Sequence, residues 1–251
     1  MIKELHIAAQ YLAASAINFV EKRDDDSHTN LSWSNESYTL FSRSLTKEGD
    51  KLALDFSSYS LVWYTNKGIV NSLGLEMITH TQVLEWINSQ LKASGIKSDL
   101  KYAFHYDLGY GIEMDDYSFP EVNHDELKKI SNYFSVAQNA MQEVLEKENL
   151  ASEIKVWPHH FDLGAYVVVD DNLSLGFGIA IPDSAINDFY YYISGYKGHD
   201  SLATKSFEKI ENGEWQTGDW KAGTLKATNI AEHNVVQFFN ETIGAYSKKY
   251  K

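Results

Sequence analysis

Apolar residues recur at helical spacing in four stretches of the chain. Ile2, Leu5, Ala9, Leu12, Ala16 and Phe19 form one stripe, which predicts a helix over residues 2–21, ended by Lys22-Arg23-Asp24-Asp25-Asp26-Ser27. Val83, Trp86, Ile87 and Leu91 predict a second helix over 80–94, with Thr79 and Gln82 at capping-box spacing and Gly95 as its stop. Leu127, Ile130, Phe134, Ala137, Met141, Val144 and Leu145 predict a third, opened by Asn123 and Glu126. Val235, Val236, Phe239 and Ile243 predict a last helix, with Asn229 and Glu232 as its box.

The stretches between read as strands. Residues 30–44 and 51–65 are extended runs joined by the turn Lys47-Glu48-Gly49-Asp50. A short strand is expected over Leu100–Tyr106, then strands near 153–169 and 172–181, at Tyr190–Ile193 and over Glu214–Ala227. In 172–181 Leu173, Leu175, Phe177, Ile179 and Ile181 face one way; Ser174, Gly176, Gly178 and Ala180 face the other. A helix packed on that small-residue face is the expected reason for it, with a bound ligand as the alternative.

This order favours an α+β fold with largely antiparallel sheet over a doubly wound parallel one. Two related halves are expected, 1–115 and 116–251, with the acidic loop 107–123 as the boundary and one continuous domain as the alternative. The echo of His105-Tyr106-Asp107-Leu108-Gly109 in His160-Phe161-Asp162-Leu163-Gly164 suggests duplication.

Composition narrows the function classes. The net charge of −13 argues against non-specific nucleic-acid binding and against docking on an anionic membrane surface. The absence of cysteine excludes disulfides, zinc–thiolate sites, cysteine-ligated clusters and cysteine nucleophiles. No signal pattern or membrane-spanning apolar run is present, so a cytoplasmic location is expected. The cofactor and the oligomeric state are not indicated.

Chemistry concentrates at Trp157-Pro158-His159-His160-Phe161-Asp162. Read as a buried strand, it puts Trp157, His159, Phe161 and Leu163 on one face and His160 with Asp162 on the other. His160 and Asp162 then suit a general base with its orienting carboxylate, and His159 suits a desolvated imidazole ready for a metal. His28, His159, His160, Asp162 and His199 are the candidate metal ligands, although none has the spacing of a zinc helix motif. The catalytic candidates are His160, Asp162 and His199, the last in the Gly-bearing loop Ser194–Ser201. The alternative is that these groups satisfy one another in a core. Among the other imidazoles, His80, His124 and His233 at helix starts, and His6 on the first helix, are expected at the surface. Asp24–Asn30 lacks the glycine and distal glutamate of an EF-hand and reads as a solvated loop.

The six residues from Trp157 to Asp162 resemble a strand found in an uncharacterised bacterial family of hypothetical proteins. The following strand and Tyr190-Tyr191-Tyr192 are similar to it more loosely. The resemblance implies a bacterial, cytoplasmic protein and carries no activity or site residue. The expectation is therefore a binding protein for a small polar or aromatic ligand, held near this strand by His28, Trp33, Trp157, His159, His160, Asp162, His199 and Trp220. A metal-dependent hydrolase with His and Asp ligands is one alternative, and a non-catalytic partner-binding protein another.

Overall fold

The computed structural model describes residues 1–103 and 106–251; His105 and its part in the internal echo lie outside them. The described residues form an α+β fold with two antiparallel sheets. They pack as two compact units: Met1–Asn132 with Val156–Phe161, and Tyr133–Lys155 with Asp162–Lys251.

The first unit is built around helix α1 (Ile2–Phe19) and a five-stranded sheet. Its strands β1 (Ser32–Ser34), β2 (Thr39–Phe41), β3 (Lys51–Asp55), β4 (Ser60–Thr65) and β5 (Gly68–Gly74) follow in sequence order. Each long run expected as one strand is a hairpin. Tight turns with Tyr38 and Tyr59 at positive φ (50° and 48°) fold β1 on β2 and β3 on β4. The turn joining β2 to β3 uses Gly49 at φ 92°, a conformation that favours glycine. Helix α1 is buried on nearly every side from Leu5 to Ala16, because the positions flanking its stripe include the small or apolar Ile7, Ala8, Ala13, Ala14 and Ser15. Helix α2 (His80–Ala93) starts at the expected capping box, in which Thr79 and Gln82 satisfy each other's backbone amides.

The boundary expected near 115 has no counterpart. Backbone bonds from Met77 to Phe119 and from Phe119 to Ile78 tie the end of the acidic loop into the first unit. The division falls instead within helix α3 (His124–Lys147), where Asn123 Oδ1 accepts from the Asp125 and Glu126 amides. Leu100–Ala103 has no strand structure, and the rest of that expected strand runs into undescribed residues.

Strand β6 (Lys155–Trp157) lies where the chain passes between units, and Val156 bridges to Leu31. In the second unit, β7 (Asp162–Asp170), β8 (Leu173–Ala180), β9 (Tyr190–Lys197), β10 (Asp200–Ser201), β11 (Glu214–Thr217) and β12 (Lys221–Lys226) form an antiparallel sheet. Its order is β11-β12-β9-β8-β7, with β10 paired to β9. Helix α4 (Glu232–Tyr250) covers one face, its Phe239 ring 5.3 Å from Phe177. That is the face of large residues on β8, so the helix expected over Ser174, Gly176 and Gly178 lies on the opposite side. Room for it comes from β9, where a Cβ on Gly195 would sit 2.4 Å from the Tyr246 ring. The box expected at Asn229 and Glu232 does not form: α4 is capped by Ala231 without a side-chain bond.

Candidate functional site

The stretch Pro158–Phe161 is a turn, which overturns the strand geometry expected for it. The Phe161 amide donates to the Trp157 carbonyl at 2.7 Å, and Phe161 takes a left-handed φ of 56°. Strand alternation therefore stops at Trp157 and restarts at Asp162, so the faces assigned to His159, His160 and Asp162 do not hold. His160 is exposed and His159 half-buried; neither is hidden on a strand.

What the turn buries is its own backbone, and helix α1 meets it there. His6 and Gln10, one helical turn apart, both reach the Pro158 carbonyl, at 2.8 Å from His6 Nε2 and 2.7 Å from Gln10 Nε2. The carbonyl oxygen has two lone pairs and accepts both bonds. The His6 ring stacks on Phe161 with centroids 5.0 Å apart and planes 12° from parallel. Its Nδ1 lies 2.9 Å from the Tyr110 hydroxyl. Since the carbonyl can only accept, Nε2 carries the proton and Nδ1 accepts from Tyr110. Burial holds the His6 pKa down at about 4 against the favourable Pro158 carbonyl, with His159 and His160 lowering it further. The imidazole is neutral at pH 7. The Tyr110 phenol is raised, first by burial and then by Glu4.

Tyr110 also lines a cleft of about 340 Å³ with Tyr106, Asp107, Leu108, Gly111, Ile112 and Glu113. Tyr106 connects the cleft to two sequence-predicted regions. Its ring lies 4.6 Å from that of His159, and its hydroxyl donates to Asp26 at 3.3 Å. His159 in turn contacts the rings of His160 at 4.2 Å and Trp157 at 6.3 Å. One aromatic cluster in the first unit thus joins Trp157, His159 and His160 to the cleft wall.

The other predicted site residues serve elsewhere. His28 is buried in a 3-10 turn (Ser27–Thr29), and its Nδ1 accepts from the Arg23 amide at 3.4 Å. The segment expected as a solvated loop is therefore closed over its own histidine from Ser27 to Asn30. Trp33 packs edge-on to Phe56 at 5.0 Å and donates to Asn35 at 2.7 Å, a core role. Asp162, His199 and Trp220 belong to the second unit. There Asp162 accepts from Tyr192 at 2.5 Å, and Trp220 lies edge-on to Tyr190 at 5.9 Å. His199 is exposed in the turn between β9 and β10. Among the described residues no three His, Asp or Glu side chains gather to hold a metal ion, so His28, His159, His160, Asp162 and His199 form no such centre.

His6 and His80, expected at the surface, are both buried. His80 Nδ1 bonds the Tyr11 hydroxyl at 2.7 Å, and burial lowers its pKa despite Asp115. For His6 the available signal was the alanine and other apolar content of α1, which marks a helix apolar on nearly all sides and so buries the polar residues it carries. No described helix is long and apolar enough to cross a membrane. No family model matches the chain, and comparison with curated proteins and with solved structures finds no match.

Proposed function

We propose that the protein binds a small polar ligand in the cleft walled by Tyr106 and Tyr110. The observation that carries this reading is the double role of Tyr110, which lines the cleft and donates its only hydroxyl proton to His6. With that proton committed, the phenol oxygen offers the cleft an acceptor. Asp107 and Glu113 add carboxylates to the same wall, and the Tyr106 and Tyr110 rings add flat apolar faces. The ligand that fits carries hydrogen-bond donors on a small body, such as an amine, an amide or a polyol.

Binding is favoured over proton-transfer catalysis. Efficient general acid–base groups titrate near the working pH. His6 is held at about 4 and Tyr110 is raised, so both stay neutral and fixed.

The test is a thermal-shift and native mass spectrometry screen with small amines, amides and polyols, repeated on Tyr110→Phe and Tyr106→Ala. A ligand whose affinity falls about tenfold in either variant, roughly 1.4 kcal/mol, supports the reading. No ligand, or one indifferent to both substitutions, overturns it.

A further inference from the structure

The side chains of the cleft at Tyr106 and Tyr110 offer a ligand hydrogen-bond acceptors and no donors. Each phenol has one proton, and both protons are spent within the protein. Tyr110 donates to His6 Nδ1 at 2.9 Å, and Tyr106 donates to Asp26 Oδ2 at 3.3 Å. The two hydroxyls therefore present lone pairs. Asp107 and Glu113, both exposed, are acceptor-only when ionised. Leu108, Gly111 and Ile112 complete the lining without a polar side-chain atom. Among the described residues that line the cleft, none is Lys, Arg or His.

A ligand that carries acceptors of its own loses water there and meets no side chain to replace it. Amides and polyols are in that position; a group made only of donors is not. Charge points the same way, since two carboxylates line the cleft in a chain of net charge −13. The rings select the kind of cation. Lys3 Nζ stands 5.8 Å from the centre of the Tyr110 ring, so this ring already draws an ammonium group. An inorganic ion needs a set of ligands, and among the described residues no three His, Asp or Glu side chains gather to supply one. We infer that the cleft takes an organic cation with N–H donors, an alkylammonium or a guanidinium. The inference rests on the reading of the cleft as a binding site and narrows the ligands that suit it to the cations. Their N–H groups meet the phenol oxygens and the carboxylates, and their apolar bodies lie on the aromatic faces.

NMR titration of the full chain compares butylammonium and methylguanidinium with their neutral counterparts butanol and methylurea, and with tetramethylammonium, a cation that has no N–H. The expected result is that butylammonium and methylguanidinium bind about tenfold more tightly than the neutral pair, and more weakly as salt is added. Asp107→Asn and Glu113→Gln each weaken the cations by about two- to fivefold, the range of an exposed ion pair, with thermal melts unchanged. Asp107→Asn keeps the side-chain oxygen that accepts from the Gly109 amide, so the loop retains its turn. Neutral counterparts that bind as tightly as the cations, and lose affinity in Tyr110→Phe or Tyr106→Ala, overturn the inference and leave the cleft a binding site. Tetramethylammonium binding as tightly as butylammonium, or cations indifferent to both carboxylate substitutions, also overturns it. If neither these probes nor the wider screen of amines, amides and polyols yields a ligand, the inference falls together with the reading beneath it.

Discussion

His6 Nε2 and the Pro158 carbonyl oxygen stand 2.8 Å apart across 152 positions of sequence. That bond fixes the imidazole tautomer, orients Nδ1 toward Tyr110 and anchors the Trp157–Phe161 turn to the buried face of α1. Gln10 shares the carbonyl but reaches neither Phe161 nor Tyr110 in the same way, so the histidine is the junction of three elements.

Removing that junction should be costly. His6→Ala deletes a buried ring stacked on Phe161, leaves the Tyr110 hydroxyl without its acceptor and opens a cavity in a helix buried on all sides. Large-to-small changes of this kind, with a lost buried hydrogen bond, destabilise by about 2–4 kcal/mol. Urea unfolding measures it. A loss under about 1 kcal/mol would mean the bonds to Pro158 and Tyr110 are easily replaced.

The same burial makes stability depend on pH. His6 has a folded pKa of about 4 against 6.5 for the free side chain, so between these values the unfolded chain binds the extra proton. Stability is full above about 6.5 and is lost as pH falls toward 4, by about 3 kcal/mol over the window. His80, also lowered by burial, acts in the same direction. Carboxylates titrate at the lower end of this range, so the comparison is with His6→Gln, which has no proton to take up. Chemical denaturation at pH 7.5, 6, 5 and 4.5 should show the wild-type chain losing stability faster than the variant. Parallel curves would place His6 in a more solvated setting.

Glycines on β8 offer a contrast within one strand. A Cβ on Gly176 meets only the Tyr196 and Tyr166 rings at 3.7 and 3.8 Å, ordinary contact distances. On Gly178 it would lie 2.1 Å from the Leu163 carbonyl oxygen and 2.6 Å from Gly164 Cα, both backbone atoms of β7. Gly176→Ala should stay within about 0.5 kcal/mol of wild type, while Gly178→Ala should cost about 3 kcal/mol or more because the β7–β8 ladder must part. Thermal melts of the two variants decide it; similar melting temperatures would contradict the close approach.

Sequence periodicity carried the helices and most strands because their cores are simple. Thr79 and Gln82 announced α2, and the alternation of Leu173, Leu175, Phe177 and Ile179 announced β8, although α4 covers its large-residue face and not the small-residue face where a helix was expected. What it missed has physical causes. Tyr38, Tyr59 and Phe161 turn the chain at positive φ, a conformation bulky residues seldom adopt, so nothing in their chemistry marks a turn. Strand β5 is exposed on both faces and shows no inside–outside alternation. The Trp157–Phe161 turn was legible as unusual chemistry, but its partners His6 and Tyr110 lie 152 and 48 positions from Pro158, beyond the reach of any local pattern.

Tyr192 gives the last prediction. Its hydroxyl donates to Asp162 Oδ2 at 2.5 Å, and it stands opposite Gly178 on β8, across from Gly164 on β7, where no side chain intervenes. Burial, reinforced by the Asp162 charge, pushes the phenol well above its ordinary value, so it remains a donor at any physiological pH. Hydrogen bonds to a charged acceptor contribute more than neutral ones, about 1.5–3 kcal/mol, and Tyr192→Phe keeps the ring while removing only the hydroxyl. That loss should be smaller in the Asp162→Asn background, where the acceptor is neutral. A double-mutant cycle by urea denaturation isolates the coupling, expected at about 1 kcal/mol or more between adjacent bonded groups. A coupling near zero would mean that solvent serves Asp162 as well as Tyr192 does, and that the small-residue face of β8 leaves the carboxylate open to water.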